Sequence, residues 1–177
     1  MFLDNNRDKT RRERYREKSK TRVRLPLAIA TVNFSFDENL AFIIRSAACF
    51  GVEEIFVIGS LPDRSYLNPR TGSLYDFVKF RTFANPRDFS QFCETNNYNR
   101  VAVELSEKSE SVYDYKFNLR EQTVIVLGNE RTGVPAEILL NNDSVFIPMN
   151  GPGYCLNVSQ AGTAVVSEYC RQYFLIK

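Results

Sequence analysis

Histidine is absent from all 177 residues. That removes the side chain that titrates near neutral pH, and with it a His general base, a Ser-His-Asp or Cys-His nucleophile and any His-containing metal site. No resident metal is expected. The four cysteines, Cys49, Cys93, Cys155 and Cys170, stand too far apart for a CxxC zinc or redox pair and read as buried, reduced thiols. Neither GxGxxG nor GxxxxGK[ST] occurs, so the two common phosphate-cradling fingerprints are missing. No run approaches the roughly 18 uncharged apolar residues of a membrane span. The first 24 residues are too polar for a secretory signal. A cytoplasmic protein without a membrane anchor is the expectation.

What is present suffices for one folded unit. With 44% hydrophobic and 25% charged residues, the chain can fill a single core. Its net charge of +2 hides an uneven distribution. Residues 1–24 hold ten Lys/Arg against four acids, whereas residues 25–177 hold thirteen against seventeen. The division expected is a basic, flexible arm over 1–24, mobile or a frayed helix, and one domain over 25–177. A solvated tail is the plain meaning of such an arm. The sharper one is a phosphate-binding arm in which Arg11, Arg12, Arg14 and Arg16 meet RNA.

From Leu25 onward, β-rich apolar runs alternate with segments of helical spacing, which predicts an α/β fold with a mostly parallel, six-stranded sheet flanked by helices. The strands predicted are Leu27 to Val32, Ile55 to Ile58, Val78 to Thr82, Val101 to Leu105, Thr123 to Leu127 and Val145 to Ile147. Helices are predicted from Asn39 to Phe50, Pro86 to Asn97, Pro135 to Asn141 and Leu156 to Phe174, with an exposed loop over Leu61 to Thr71. In the last helix Val158, Ala161, Val165 and Tyr169 form an apolar stripe for the core or for a partner subunit.

Three constellations carry candidate chemistry. In DENLAFIIRSAACFG, Asn39 and Arg45 lie six residues apart, 240° past alignment on a helix, so they do not share a face. Asn39 reads as a helix cap or a site residue. Arg45 reads as a surface charge or, among apolar neighbours, as a cation needing an anionic partner. In VIVLGNERTGVP, a strand ends in Gly128, Asn129, Glu130 and Gly133, at the sheet edge where α/β proteins bind ligands; Glu130 is either a site residue or an ordinary loop carboxylate. In VFIPMNGPGYCLNVSQAG, a glycine-rich loop opens a helix near Asn157 and Ser159, offering amides and small polar groups or simply a cap and a tight turn. Taken singly, each is as compatible with structure as with function.

Together and in this order the three resemble the motifs of the SpoU (TrmH-type) branch of the SPOUT RNA methyltransferases. The first resembles N-x-G-x-x-x-R-x-A-x-x-F-G through Asn39, Arg45, Ala47, Phe50 and Gly51. The second resembles G-N-E-x-x-G through Gly128, Asn129, Glu130 and Gly133. The third resembles I-P-M-x-G-x-x-x-S-L-N-V-S through Ile147, Pro148, Met149, Gly151, Leu156, Asn157, Val158 and Ser159. AVELSEKSESVYDY resembles the strand and loop before the second motif.

The resemblance implies a C-terminal deep trefoil knot, a homodimer, and S-adenosylmethionine as cofactor. It implies 2′-O-methylation of a ribose in tRNA, favoured over rRNA. Carried over position by position, the catalytic group is Arg45, Asn39, Glu130 and Asn157, and the cofactor lies against Glu104, Leu127, Gly128, Ile147, Met149 and Leu156. Arg11, Arg12, Arg14, Arg16 and Arg70 would attract RNA, with Arg64 and Arg81 in support. Two positions depart from the pattern. Ala41 stands for a glycine, at little cost in a helix. Cys155 stands for a serine and replaces a hydroxyl with a weaker donor. That exchange is the sequence support for an alternative, a noncatalytic RNA-binding or assembly protein of the same fold. A doubly wound nucleotide-binding enzyme is the second alternative, disfavoured by the missing glycine fingerprint.

Overall fold

LAIATV and TVIVL are buried at every position, a pattern that forces both faces of the strand to be covered and places these runs at the centre of a parallel sheet. In the computed structural model, which describes residues 9–140 and 142–175, they are β1 (Leu27–Val32) and β6 (Thr123–Leu127), hydrogen-bonded to each other with Ile29 opposite Ile125. Around them stand β2 (Glu54–Ile58), β3 (Lys79–Phe83), β4 (Asn99–Val103), β5 (Glu110–Ser111) and β7 (Asp143–Phe146). The order is β3-β2-β1-β6-β4-β7-β5, parallel at every pairing. The sheet therefore has seven strands where six were expected. The additional strand, β5, is two polar residues paired to Val145 and Phe146, too short and too polar to leave an apolar signal.

Alternation along the strands divides the core into two layers. Ile29, Ile55, Val101 and Ile125 face one side, where α2 (Asp37–Phe50), α3 (Arg64–Arg70) and α6 (Val158–Leu175) cover them. Ala28, Ala30, Phe56 and Val126 face the other, under α4 (Pro86–Thr95) and α5 (Ala136–Leu139). α4 follows its sequence signals closely: Asn85 caps it by accepting from the Asp88 amide at 2.9 Å, and Pro86 occupies the first turn. The helix expected to end at Asn141 ends, within the described residues, at Leu139, and position 141 lies outside them.

Three local expectations change. The segment read as a loop over Leu61 to Thr71 contains α3, despite Pro69. The proline falls in the last turn of a seven-residue helix, where its missing amide costs one hydrogen bond while fully buried Leu67 anchors the helix to the core. Val165 and Tyr169 of the α6 stripe are wholly buried within the chain, so that stripe belongs to the core and not to a partner surface. All four thiols are free, but only Cys93 and Cys170 are buried; Cys49 and Cys155 are exposed.

The basic segment is helical over α1 (Arg11–Lys20). A capping box closes its start: the Thr10 hydroxyl accepts from the Glu13 amide at 3.3 Å, and the Glu13 carboxylate accepts from the Thr10 amide at 2.7 Å. No residue of α1 is buried. It is attached by an edge-on contact of Tyr15 with Phe77, by Arg12 beside Asp76 at 3.7 Å, and by Arg22, which bonds Glu53 and the Phe77 carbonyl. Among the described residues no helix is long and apolar enough to cross a membrane, and no cluster of His, Cys, Asp or Glu is placed to hold a metal ion.

Candidate active site

Because the sheet is parallel, the carboxyl ends of β1, β4, β6 and β7 open on one edge, and the three constellations meet there. β6 runs into a closed turn. The Asn129 amide donates to the Gly133 carbonyl at 3.0 Å and the Gly133 amide returns to the Asn129 carbonyl at 2.9 Å. The Asn129 side chain accepts from the amides of Arg131 and Thr132, and its NH₂ group donates to the Asn33 carbonyl and to the Ser35 hydroxyl. Gly133 sits at φ +69°, and a Cβ there would collide with the carboxylate of Glu104. A Cβ on Gly128 would strike the Gly133 backbone. Glu104, at the end of β4, accepts from the Val134 amide at 2.9 Å and the Leu105 amide at 3.0 Å, so its carboxylate braces the turn.

From this turn Glu130 reaches across to the start of α2. Its carboxylate accepts from the Ser35 amide at 2.7 Å, the Phe36 amide at 3.4 Å and the Asn39 side-chain NH₂ at 2.6 Å. Burial pushes its pKa up, but the bonds from Ser35, Asn39 and Phe36 outweigh this and hold it below the ordinary 4.5. The helix cap is Phe36, with no side-chain cap bond, and Asn39 lies in the first turn. Asn39 is 5% exposed and faces inward.

The contacts orient one another. A carboxylate only accepts, so Asn39 must turn its NH₂ to Glu130, leaving its oxygen for the Asn157 NH₂ at 2.9 Å. The oxygen of Asn157 then accepts from the Ser159 amide at 2.8 Å and hydroxyl at 2.6 Å, capping α6. A single relay, Glu130–Asn39–Asn157–Ser159, thus ties the three segments together. A further bond between the hydroxyls of Ser46 and Thr163 at 2.7 Å joins α2 to α6.

Beside the relay lies a cleft of about 550 Å³. Glu104, Leu127, Gly128, Ile147, Met149 and Leu156 line it, together with Asn39, Glu130 and Asn157. Among the described residues nothing accepts from the amides of Met149 and Leu156, and positions 148–157 are exposed throughout. Cys155 lines the same cleft, as do Arg131 and Tyr154, which the sequence reading passed over. Backbone amides and a solvent-facing tyrosine carry no periodic signal; their position in a glycine-rich loop was the only available hint.

Arg45 stands apart. It is exposed on α2, about 9 Å further along the axis than Asn39 at 1.5 Å per residue, and it borders the Gly72 turn and not the cleft. It makes no hydrogen bond or ion pair among the described residues, so none of these supplies an anion for it. Of the basic residues expected to meet RNA, Arg11, Arg14 and Arg16 are exposed on α1 and Arg12 faces Asp76. Arg70 stacks on the Tyr66 ring at 3.7 Å, donates to the Tyr66 carbonyl and lies 3.7 Å from Glu38. Arg64 is held bidentately by Asp76, and Arg81 lies over Phe92.

These features define an α/β domain with a candidate site at the carboxyl edge of a parallel sheet. The sequence profile of the SpoU rRNA methylase family matches residues 26–167, and the chain belongs to that family. It is 31% identical over 143 residues to the tRNA (guanosine(18)-2'-O)-methyltransferase of Mus musculus, covering 77% of this chain and 9% of that protein. It is 30% identical over 142 residues to the 23S rRNA (uridine(2479)-2'-O)-methyltransferase of Streptomyces viridochromogenes, covering 76% of this chain and 48% of that one. The chain thus spans less than half the length of either relative. Among solved structures it resembles the TrmH/SpoU tRNA modifying enzyme of A. aeolicus with a TM-score of 0.79 and 25% identity, over 93% of this chain and 83% of that one.

Proposed function

We propose that the chain is an S-adenosylmethionine-dependent RNA methyltransferase that acts on a ribose 2′-hydroxyl, in tRNA ahead of rRNA. In this reading it works in the cytoplasm as a homodimer whose C-terminal part is threaded as a deep trefoil knot. The observation that carries the reading is the Glu130–Asn39–Asn157–Ser159 relay, which locks the three family motifs around one cleft. The knot is supported by the sheet order, in which β6 enters between β1 and β4 before the chain moves outward to β7. The relatives named above act on tRNA and rRNA, which supports an RNA substrate.

The cleft fits the cofactor chemically. Its walls at Leu127, Ile147 and Leu156 are apolar, the amides of Met149 and Leu156 are free to donate among the described residues, and about 550 Å³ is ample for a nucleoside-sized ligand. When bound, the cofactor supplies a methyl group on a positively charged sulfur. Orientation of the ribose then dominates the barrier. We assign Asn157 and Asn39 to that orientation, since each is immobilised by two partners.

Arg45 clamps an RNA phosphate and polarises the 2′-hydroxyl. A guanidinium has only donors and no acceptor, so it does not take the proton itself, and having no anionic partner among the described residues leaves it available to phosphate. Glu130 is a poor acceptor too, because three donors already occupy it and hold its pKa down. The proton passes to a phosphate oxygen or to water. RNA is gathered by α1, where Arg11, Arg14 and Arg16 are exposed on one attached helix.

The test is methyl incorporation from labelled S-adenosylmethionine into unmodified bulk tRNA and rRNA, with nucleoside analysis and Arg45→Ala as control. A 2′-O-methylated nucleoside that disappears in the variant supports the reading. Cofactor binding without incorporation into either RNA favours the noncatalytic RNA-binding alternative, for which the exposed Cys155 in the cleft is the specific observation.

A further inference from the structure

Among the described residues Tyr154 is the most exposed of the large apolar side chains, at 83%, and it stands on the rim of the cleft beside the relay. Leaving an aromatic ring in water forgoes the burial that aromatic rings otherwise contribute to folding. The ring is not there to fill the core. The loop that carries it is lifted off the body: Cβ atoms added at Gly151 and at Gly153 would meet nothing within 4 Å. Arg131 shares this rim on the opposite loop, also exposed. Its amide is fixed by the Asn129 side chain at 2.9 Å, while its guanidinium pairs with no carboxylate among the described residues. One wall of the cleft mouth therefore offers a free π-face and the other an unpaired fork of N–H donors.

Unstacked nucleotides are recognised by just these two groups, a ring against the base and a guanidinium against a phosphate. We propose that Tyr154 stacks on the base of the nucleotide whose ribose enters the cleft, with Arg131 binding an adjacent phosphate, so that the pair holds the target nucleotide splayed out of its RNA. The inference deepens the methyltransferase reading and rests on it for the identity of the reacting sugar. It requires the target to lie in a loop or other single-stranded stretch. It also makes Tyr154 a substrate-positioning residue, distinct from the groups that hold the cofactor.

Two measurements decide it. Initial rates with unmodified bulk tRNA are compared for the wild type, Tyr154→Ala and Tyr154→Phe, alongside S-adenosylmethionine affinity by calorimetry and molar mass by light scattering. The expected result is a rise of roughly tenfold in KM for tRNA in Tyr154→Ala, with kcat, cofactor affinity and mass unchanged, and with Tyr154→Phe restoring KM. An unchanged KM overturns the proposal. So does a loss that follows cofactor affinity, which would put the ring on the cofactor, or one that follows mass, which would put it at a subunit contact. The second measurement needs no turnover: fluorescence quenching of a short single-stranded RNA bearing 2-aminopurine. Quenching by wild type and Tyr154→Phe but not by Tyr154→Ala supports the stack even where the methyltransferase reading has failed. Equal quenching by all three removes the assignment even where that reading stands.

Discussion

At the scale of single residues, the relay makes distinct demands on its members. Asn39 must donate to Glu130 and accept from Asn157 at once, which its amide does through two separate atoms. Asn39→Asp keeps the shape but sets two carboxylates against each other at a site 5% exposed. The expected cost is about 2–3 kcal/mol at neutral pH. In a chain of this length that lowers Tm by roughly 5–10 °C, readable by calorimetry. Glu130→Gln removes one of two accepting oxygens and costs about 1 kcal/mol. Because folding holds the Glu130 pKa below its ordinary 4.5, its contribution is complete above that pH and fades as pH falls through the folded value. The stability difference between wild type and Glu130→Gln should therefore be flat from pH 7 to 5 and shrink below 4.5; a difference that grows on acidification would reverse the assignment. For Arg45, exposed and without an anionic partner among the described residues, Arg45→Lys should lower kcat/KM by tenfold or more, since ammonium cannot grip phosphate through two parallel bonds. Near-normal turnover would contradict phosphate clamping. The residues of this site were legible as a set from their order in the chain. Their connections were not, because a bond between positions 39 and 157 leaves no trace in either local pattern.

At the scale of elements, legibility tracked the strength of the local signal. β1 and β6 emerged with their bounds intact, since runs of five or six residues, apolar but for one threonine each, admit little else in an α/β chain. β5 and α3 escaped because their stability comes from neighbours: β5 from the edge of β7, α3 from Leu67 against the core. α1 is the reverse case, written locally in the Thr10–Glu13 capping box but masked by its charge. Since no residue of α1 is buried, deleting residues 1–20 should leave Tm within a few degrees and cofactor affinity unchanged, with Arg22 still bonded to Glu53. Eight Lys and Arg leave with that segment. KM for RNA is expected to rise about tenfold, and log affinity should fall less steeply with log salt. Equal RNA affinity before and after truncation removes α1 from the interface. α6 is held differently. Gln172, 9% exposed, donates to the Tyr115 carbonyl and accepts from the Phe117 amide, with Glu168 and Arg171 beside it. Gln172→Leu would leave both backbone groups buried without partners, at a cost of about 2–4 kcal/mol in chemical denaturation.

At the scale of the whole molecule, the proposed reaction calls on Arg45 at a cleft that Arg45 does not border in its own chain. Asn157 faces two spaces, and Ser159 borders the second. One is the cleft; the other is an open groove along α2 and α6, bordered by Phe42, Phe50, Gln160, Thr163, Ala164 and Ser167. Phe42 is 49% exposed there, and small side chains at Thr163, Ala164 and Ser167 let a helix approach closely. The apolar stripe open to either core or partner is spent in the core, so for the proposed homodimer this outer face is the candidate contact. A second copy seated across α2 and α6 would bury Phe42 against its own symmetry mate and bring its own Arg45 face towards a neighbouring relay. An isologous contact of this kind is sensitive to charge, because each substitution enters twice and the like charges meet at the axis. Phe42→Glu, on a face exposed in the monomer, should leave Tm of the isolated chain nearly unchanged while halving the molar mass seen by light scattering. Methyl transfer to tRNA should fall at least tenfold in step with the mass. A variant that stays dimeric would move the contact elsewhere on the surface, and a monomer that keeps full turnover would show that each chain carries a complete site.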